Sequence, residues 1–223
     1  YGLVTRGPVM AENVTGGFAL VYRTLSGFEE MGRCRRGYFV EGLGAAQFAT
    51  GGTIDRLRSL VEVSTGRADA APVAVTLAAT DPANPYGAML PWPELPAGTT
   101  HRPGRKAGAV VVLVDGALAL YLERGGKTVL VWGEDAAAPY RTGADRSGFA
   151  GTAAAAGLAR APRGIAPDAR QIAAAGGLAA LVRDRRVSKI AVETVNGVFV
   201  IGTVFGQALR GAGFTETPKG LRV

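Results

Sequence analysis

The sequence predicts an α+β chain in which a winged-helix-like segment over residues 1–66 precedes a mainly antiparallel small β-barrel with flanking short helices. Three observations carry that expectation. A helical period over residues 18–31 runs into a basic turn and then into two extended pieces, which is the order at the end of a winged-helix unit. After residue 72 the pattern changes to short apolar strands separated by Asp-Gly, Gly-Gly and Asn-Gly pairs. Thirty-three glycines and 12 prolines among 223 residues argue against a long-helix bundle.

In the first segment, the β-branched residues between Val4 and Val9 read as a strand. Phe18, Val21, Tyr22, Leu25 and Phe28 recur on one helical face, and Gly32 is placed to end that helix. Tyr38-Phe39-Val40 and Gln47-Phe48-Ala49 are the expected wing strands, joined through Gly42 and Gly44. Thr53 is the expected N-cap of a second helix burying Ile54, Leu57, Leu60 and Val61. Residues 66–72 read as a linker.

The second segment, 67–223, opens with strands over 73–79, 109–114, 117–122 and 129–132. Asp115-Gly116 is a type I′ turn pair, Gly125-Gly126 makes the next reversal, and Asn196-Gly197 joins strands over 189–195 and 198–201. Residues 133–169 are rich in Ala, Gly, Pro and Arg and read as a loop or insert. Ile172, Leu178, Leu181 and Val182 mark a helix, weakened by Gly176-Gly177. Residues 205–212 form a short helix stopped by Gly213, and the Thr217-Pro218-Lys219-Gly220 turn leads to a last strand.

Twenty-five basic against 18 acidic side chains leave a net charge of +7, which favours a polyanionic partner, nucleic acid first. One cysteine excludes an internal disulfide and fits a reducing cytoplasm. The apolar run 107–122 is broken by Asp115-Gly116 and is not a membrane span. No Walker A string, Gly-x-Ser-x-Gly elbow or Cys/His metal spacing occurs, so no metal site and no ATPase chemistry are expected within these residues.

Basic residues gather in four places: Arg33, Arg35 and Arg36; Arg102, Arg105 and Lys106; Arg183, Arg185, Arg186 and Lys189; and Lys219 with Arg222. Tyr38 beside the first cluster offers a ring for base stacking next to phosphate contacts. The proline-braced run 80–87 followed by Leu90-Pro91-Trp92-Pro93 holds Asp81, Asn84 and Tyr86 in a rigid loop. Two readings stand there. Asp81 and Asn84 close Asx turns while Tyr86 and Trp92 pack a corner, or Tyr86 stacks an unpaired base and Asp81 acts as a catalytic carboxylate on water. His101 reads as a surface or hinge residue, and Cys34 as a small residue near a helix end.

Four ordered strings resemble one family: FEEMGRCRRGYFVEGLGAAQFA at 28–49, LAATDPANPYG at 77–87, RPGRKAG at 102–108, and GF at 213–214 with TPKGL at 217–221. They are similar to the C-terminal region of the bacterial large helicase-related (Lhr) proteins, superfamily 2 DNA helicases. The resemblance implies that ATP, Mg²⁺ and the helicase core lie upstream, with no cofactor in this fragment. It also implies winged-helix units followed by a β-barrel similar to that of AlkZ-type DNA glycosylases. Expected partners are DNA, single-stranded or in helicase-substrate form, the upstream domains of the same polypeptide, and further copies in a homo-oligomer. The expected location is cytoplasmic and nucleoid-associated.

The basic clusters and the braced loop make Arg33, Arg35, Arg36, Tyr38, Asn84, Tyr86, Arg102, Arg105, Lys106 and Lys219 the expected DNA-binding residues, and the resemblance implies a DNA-binding and assembly role for the extension as a whole. The alternative is part of a uracil-DNA glycosylase site built on Asp81. The glutamine-centred motif of the AlkZ type is not matched, and Gln47 in Ala-Gln-Phe is no substitute for it.

Overall fold

The computed structural model describes residues 2–65, 70–140 and 166–223. Most of the expected insert, and residues 66–69 of the expected linker, lie outside the described residues. Two compact units are present, one formed by residues 1–71 and 81–93, the other by 72–80 and 94–223.

The first unit is a small winged-helix arrangement. Strand β1 (Leu3–Val4) is followed by helices α1 (Arg6–Ala11) and α2 (Gly17–Glu30), strands β2 (Arg35–Gly37) and β3 (Gln47–Ala49), and helix α3 (Gly51–Thr65). The expected strand over 4–9 is therefore corrected. After β1, Thr5 is extended and the chain turns helical at Arg6, with Pro8 in the first turn, where its missing N–H costs nothing. A Cβ at Gly7 would lie 2.8 Å from the Ala88 carbonyl oxygen, so glycine lets α1 sit directly on the 81–93 loop.

The sheet runs β1-β3-β2, all antiparallel. The first wing strand lies three residues earlier than expected, on the basic segment: Arg35 pairs with Ala49 and Gly37 with Gln47. Tyr38-Phe39-Val40 form the connection instead. The cap of α3 is Thr50, whose hydroxyl accepts the Thr53 N–H at 3.4 Å, and not Thr53 itself. Leu60 and Val61, expected on the buried side of α3, are 53% and 62% exposed.

The second unit is built on a six-stranded sheet in the order β10-β9-β7-β6-β5-β4. Its strands are β4 (Ala74–Ala78), β5 (Val110–Val114), β6 (Ala117–Leu122), β7 (Thr128–Val131), β9 (Thr194–Val195) and β10 (Val198–Phe199). Asp115 and Gly116 have φ of 49° and 81°, and Asn196 and Gly197 have 48° and 84°, the left-handed pairs a type I′ turn needs. Among the described residues no pairing joins β4 to β10, so the sheet stays open and does not show the expected closure.

The expected single strand over 189–195 divides. β8 (Ala191–Val192) pairs with β12 (Gly220–Arg222) in a separate sheet with β11 (Thr215–Thr217), whereas β9 runs parallel to β7. Asn196 explains why the second half stays on the large sheet. Its side chain accepts the Val131 N–H at 2.9 Å and donates to the Val131 carbonyl at 3.0 Å, continuing the ladder where the backbone turns away.

Burial along β5, β6 and β7 is nearly continuous, so both faces of the sheet are covered. Val112, Leu120 and Val131 form one cross-strand row on the face covered by α4 (Ala169–Arg183), which packs in turn against α5 (Val204–Gly211). Val111, Tyr121 and Leu130 form a row on the other face, where the loop before β5 brings the His101 ring to 6.4 Å from that of Tyr121. Helix α4 forms despite Gly176-Gly177 because a capping box of Asp168 and Gln171 starts it. Gly177 is moreover required: a Cβ there would stand 2.8 Å from Thr76 Oγ1, the hydroxyl that donates to the Gly177 carbonyl.

Candidate nucleic-acid interface

Strand β2 decides what the first basic cluster presents. Successive side chains of a strand leave by opposite faces, so Arg35 and Arg36 do not form one patch. Arg36 folds onto α2, where it hydrogen-bonds the Tyr22 hydroxyl, lies 5.7 Å from the Tyr22 ring centroid and ion-pairs with Glu29 at 3.3 Å. Arg33 and Arg35 are exposed and make no ion pair among the described residues. Tyr38 follows at 62% exposure, its hydroxyl accepting the Gly42 N–H at 3.1 Å. The sequence-expected group of three arginines is thus a pair plus one strut.

Gln47 is a residue whose role the sequence did not reveal. It is fully buried, and its Oε1 accepts from the N–H groups of Phe39 and Val40 at 3.0 and 2.9 Å. Its Nε2 donates to the carbonyls of Val40 and Gly44, both at 2.7 Å. The amide is fully occupied in holding the wing connection that carries Tyr38. Cys34 is likewise internal, its thiol donating to the Leu25 carbonyl at 3.3 Å.

In the 81–93 loop, Asp81 and Asn84 hydrogen-bond neighbouring backbone groups. Asp81 Oδ1 accepts the Ala83 N–H at 2.8 Å. Asn84 is buried, with its Oδ1 accepting from the Tyr86 N–H at 3.1 Å. The Tyr86 ring stacks on Trp92 with centroids 6.3 Å apart. These are the Asx-turn and corner contacts of the first of the two readings.

In the second unit, the other expected contact residues fall into separate roles. Arg105 donates to the Thr80 carbonyl at 3.1 Å, and Lys106 pairs with Glu123 at 3.2 Å. His101 Nε2 meets the other oxygen of Glu123, so this carboxylate lies between the Lys106 and His101 side chains. Arg102 is exposed beside them. Lys219 is exposed in the β11–β12 turn, at a cleft of about 320 Å³ shared with Glu193 and Arg222. Burial raises the phenol of Tyr121 above its ordinary 10.0; Lys106 opposes the rise, Glu123 adds to it, and the Gly104 backbone opposes it.

No group of three or more His, Cys, Asp or Glu side chains among the described residues is arranged to hold a metal. No helix among them is long and apolar enough to cross a membrane.

Comparison with known proteins agrees with this architecture. The winged-helix domain model of the large helicase-related protein matches residues 1–69. A Mycolicibacterium smegmatis protein named "Lhr helicase/ probable uracil glycosylase" is 46% identical over 231 aligned positions, covering 100% of this chain and 13% of that protein. The Escherichia coli "Lhr helicase/uracil glycosylase" is 52% identical over 134 positions, 60% of this chain and 8% of that protein. The chain thus spans a small part of each relative. It belongs to the large helicase-related (Lhr) protein family, as a piece of its C-terminal region.

Proposed function

We propose that this chain is a DNA-binding and assembly module of the C-terminal extension of an Lhr-type DNA repair helicase, with no ATPase chemistry of its own. The observation that carries the reading is the exposed pair Arg33 and Arg35, without acidic partners among the described residues, beside the exposed ring of Tyr38 on the winged-helix unit. Free guanidinium groups next to a held aromatic ring suit phosphate contact with base stacking on a single strand. Arg102 and Lys219 are the further contacts of the second unit. ATP and Mg²⁺ belong, in this reading, to a core outside these residues, and closure of the open sheet into a barrel, self-association and a nucleoid location are part of the same proposal.

The test is the salt dependence of single-strand binding by the 223-residue chain. Each phosphate contact adds about 0.7 to the slope of log affinity against log salt. Replacing Arg33 and Arg35 together with Ala is expected to lower that slope by up to about 1.4. An unchanged slope removes them from the interface.

The relatives' names favour a second reading, a uracil-DNA glycosylase site to which Asp81 contributes. A flipped uridine would present its glycosidic bond, and the carboxylate would activate water toward C1′ as uracil departs. Asp81→Asn keeps the Oδ1 acceptor of the turn, so it tests the chemistry without removing the turn. Uracil release by the wild-type chain that is lost in this variant establishes the site; no release by the wild type places the chemistry elsewhere.

A further inference from the structure

We infer that the cleft between α1 and α2 binds one unpaired nucleotide, its base against the apolar floor and its phosphate on Arg6 and Arg23. This rests on the DNA-binding reading above and adds to it a base-accepting site away from the Arg33 and Arg35 pair.

The cleft is open to solvent and has a volume of about 720 Å³, room for one base and its phosphate. Met10, Phe18 and Tyr22, with Ala46, supply its apolar floor. Met10 is more than half exposed and Phe18 half-buried. Apolar surface of this kind in contact with water favours an occupant with a flat apolar face. Gly16 and Gly17 add no side chain to the rim, and a Cβ at Gly17 would meet nothing within 4 Å.

The rings are fixed before any ligand arrives. Tyr22 stands edge-on to buried Phe48 with centroids 5.5 Å apart and edge-on to Phe18 at 6.2 Å. Arg36 holds its hydroxyl. A base that stacks there meets a surface that loses little freedom on binding.

Charge decides what kind of flat ligand fits. Arg6 and Arg23 line the same cleft, and no acidic residue lines it. Neither arginine makes an ion pair among the described residues, and both are exposed. Two cations at the rim of an aromatic floor complement a phosphate attached to a base, and they disfavour a purely apolar peptide face. The one hydroxyl of the floor, that of Tyr22, is held by Arg36, so stacking dominates and the site tolerates different bases.

The experiment compares two probes with the 223-residue chain: a short oligothymidylate, and an abasic strand of the same length and charge. Wild type is expected to prefer the intact strand by at least about fivefold, the lower end of base-on-aromatic stacking. In a Tyr38→Ala background, which removes the stacking ring of the wing, Met10→Ala with Phe18→Ala should bring that preference close to one while the salt slope stays unchanged. Arg6→Gln with Arg23→Gln, both at exposed sites that folding does not need, should weaken both probes and lower the slope by up to about 1.4. Melting curves show whether each variant remains folded; if the floor variant unfolds, the arginine pair alone decides. A base preference that survives in the folded floor variant, or a slope unchanged by the arginine pair, overturns the nucleotide cleft while leaving DNA binding in place. Absence of salt-dependent binding to either probe overturns both readings.

Discussion

The guanidinium of Arg36 hydrogen-bonds the Tyr22 hydroxyl and lies 5.7 Å from the centre of the same ring, joining the first wing strand to α2. Arg36 also pairs with Glu29 at 3.3 Å and its N–H is accepted by Glu29 Oε1 at 3.0 Å. It is therefore a fastening residue inside a run that looks like a phosphate grip. Arg36→Ala should lower the stability of the winged-helix unit by about 1–2 kcal/mol, summing a partly exposed cation–π contact and a surface ion pair. Arg33→Ala with Arg35→Ala should leave the melting temperature within a degree or two of wild type (about ±0.5 kcal/mol) and act only on DNA affinity. Thermal melting of both variants checks the division; equal melting losses would erase it.

Gln47 satisfies four backbone groups of the wing connection from one buried amide. Gln47→Leu fills the space and leaves those groups without partners, so the connection must open to water. The expected cost is about 2–4 kcal/mol, since a buried orphan donor or acceptor costs about 1–3 kcal/mol and part of the loop can rehydrate. Hydrogen exchange at Phe39 and Val40 should accelerate ahead of exchange in α2. Protection retained there would show that the amide is not what orders the wing.

Adjacent glycines in α4 should respond in opposite directions. A Cβ at Gly176 meets nothing within 4 Å, so Gly176→Ala should gain up to about 1 kcal/mol from helix propensity. At Gly177 it would meet Thr76 Oγ1 at 2.8 Å and Val112 Cγ1 at 3.1 Å. Gly177→Ala should therefore be net destabilising, since overpacking costs about 1–3 kcal/mol against a propensity gain of up to about 1 kcal/mol. Chemical denaturation of the two variants settles the sign at each site.

Tyr121 gives the second unit an alkaline limit. Its folded phenol is raised above 10.0 by burial, so the folded chain keeps a proton that the unfolded chain loses. The associated stability is whole below pH 10 and declines as pH rises toward the folded value. His101, Lys106 and Glu123 are the ionisable neighbours. Tyr121→Phe removes the titrating group, and its stability profile should fall less steeply above pH 10 than that of wild type. Parallel profiles in that range would assign the alkaline loss to other groups.

Turns and periods were readable from the sequence because they are local. Positive φ at Asp115-Gly116 and Asn196-Gly197 follows from what those residue pairs tolerate, and the face of Phe18, Tyr22 and Leu25 follows from the helical repeat. The ordered strings around Arg33, Asp81 and Lys106 also sufficed to indicate the family. Tertiary structure decided how each side chain is used. Nothing local distinguishes Arg36 from Arg35; the strand pleat sends one onto α2 and the other to solvent. Arg105 and Lys106 belong to a basic cluster in sequence, yet Lys106 pairs with Glu123, which His101 also meets, and Arg105 holds the Thr80 carbonyl. Arg6 and Arg23 stand 17 positions apart and belong to no charge cluster, yet they meet at one cleft because α1 and α2 pack together. Charge is written along the chain, whereas the freedom of a charge to meet a ligand depends on partners that only folding brings within a few ångströms.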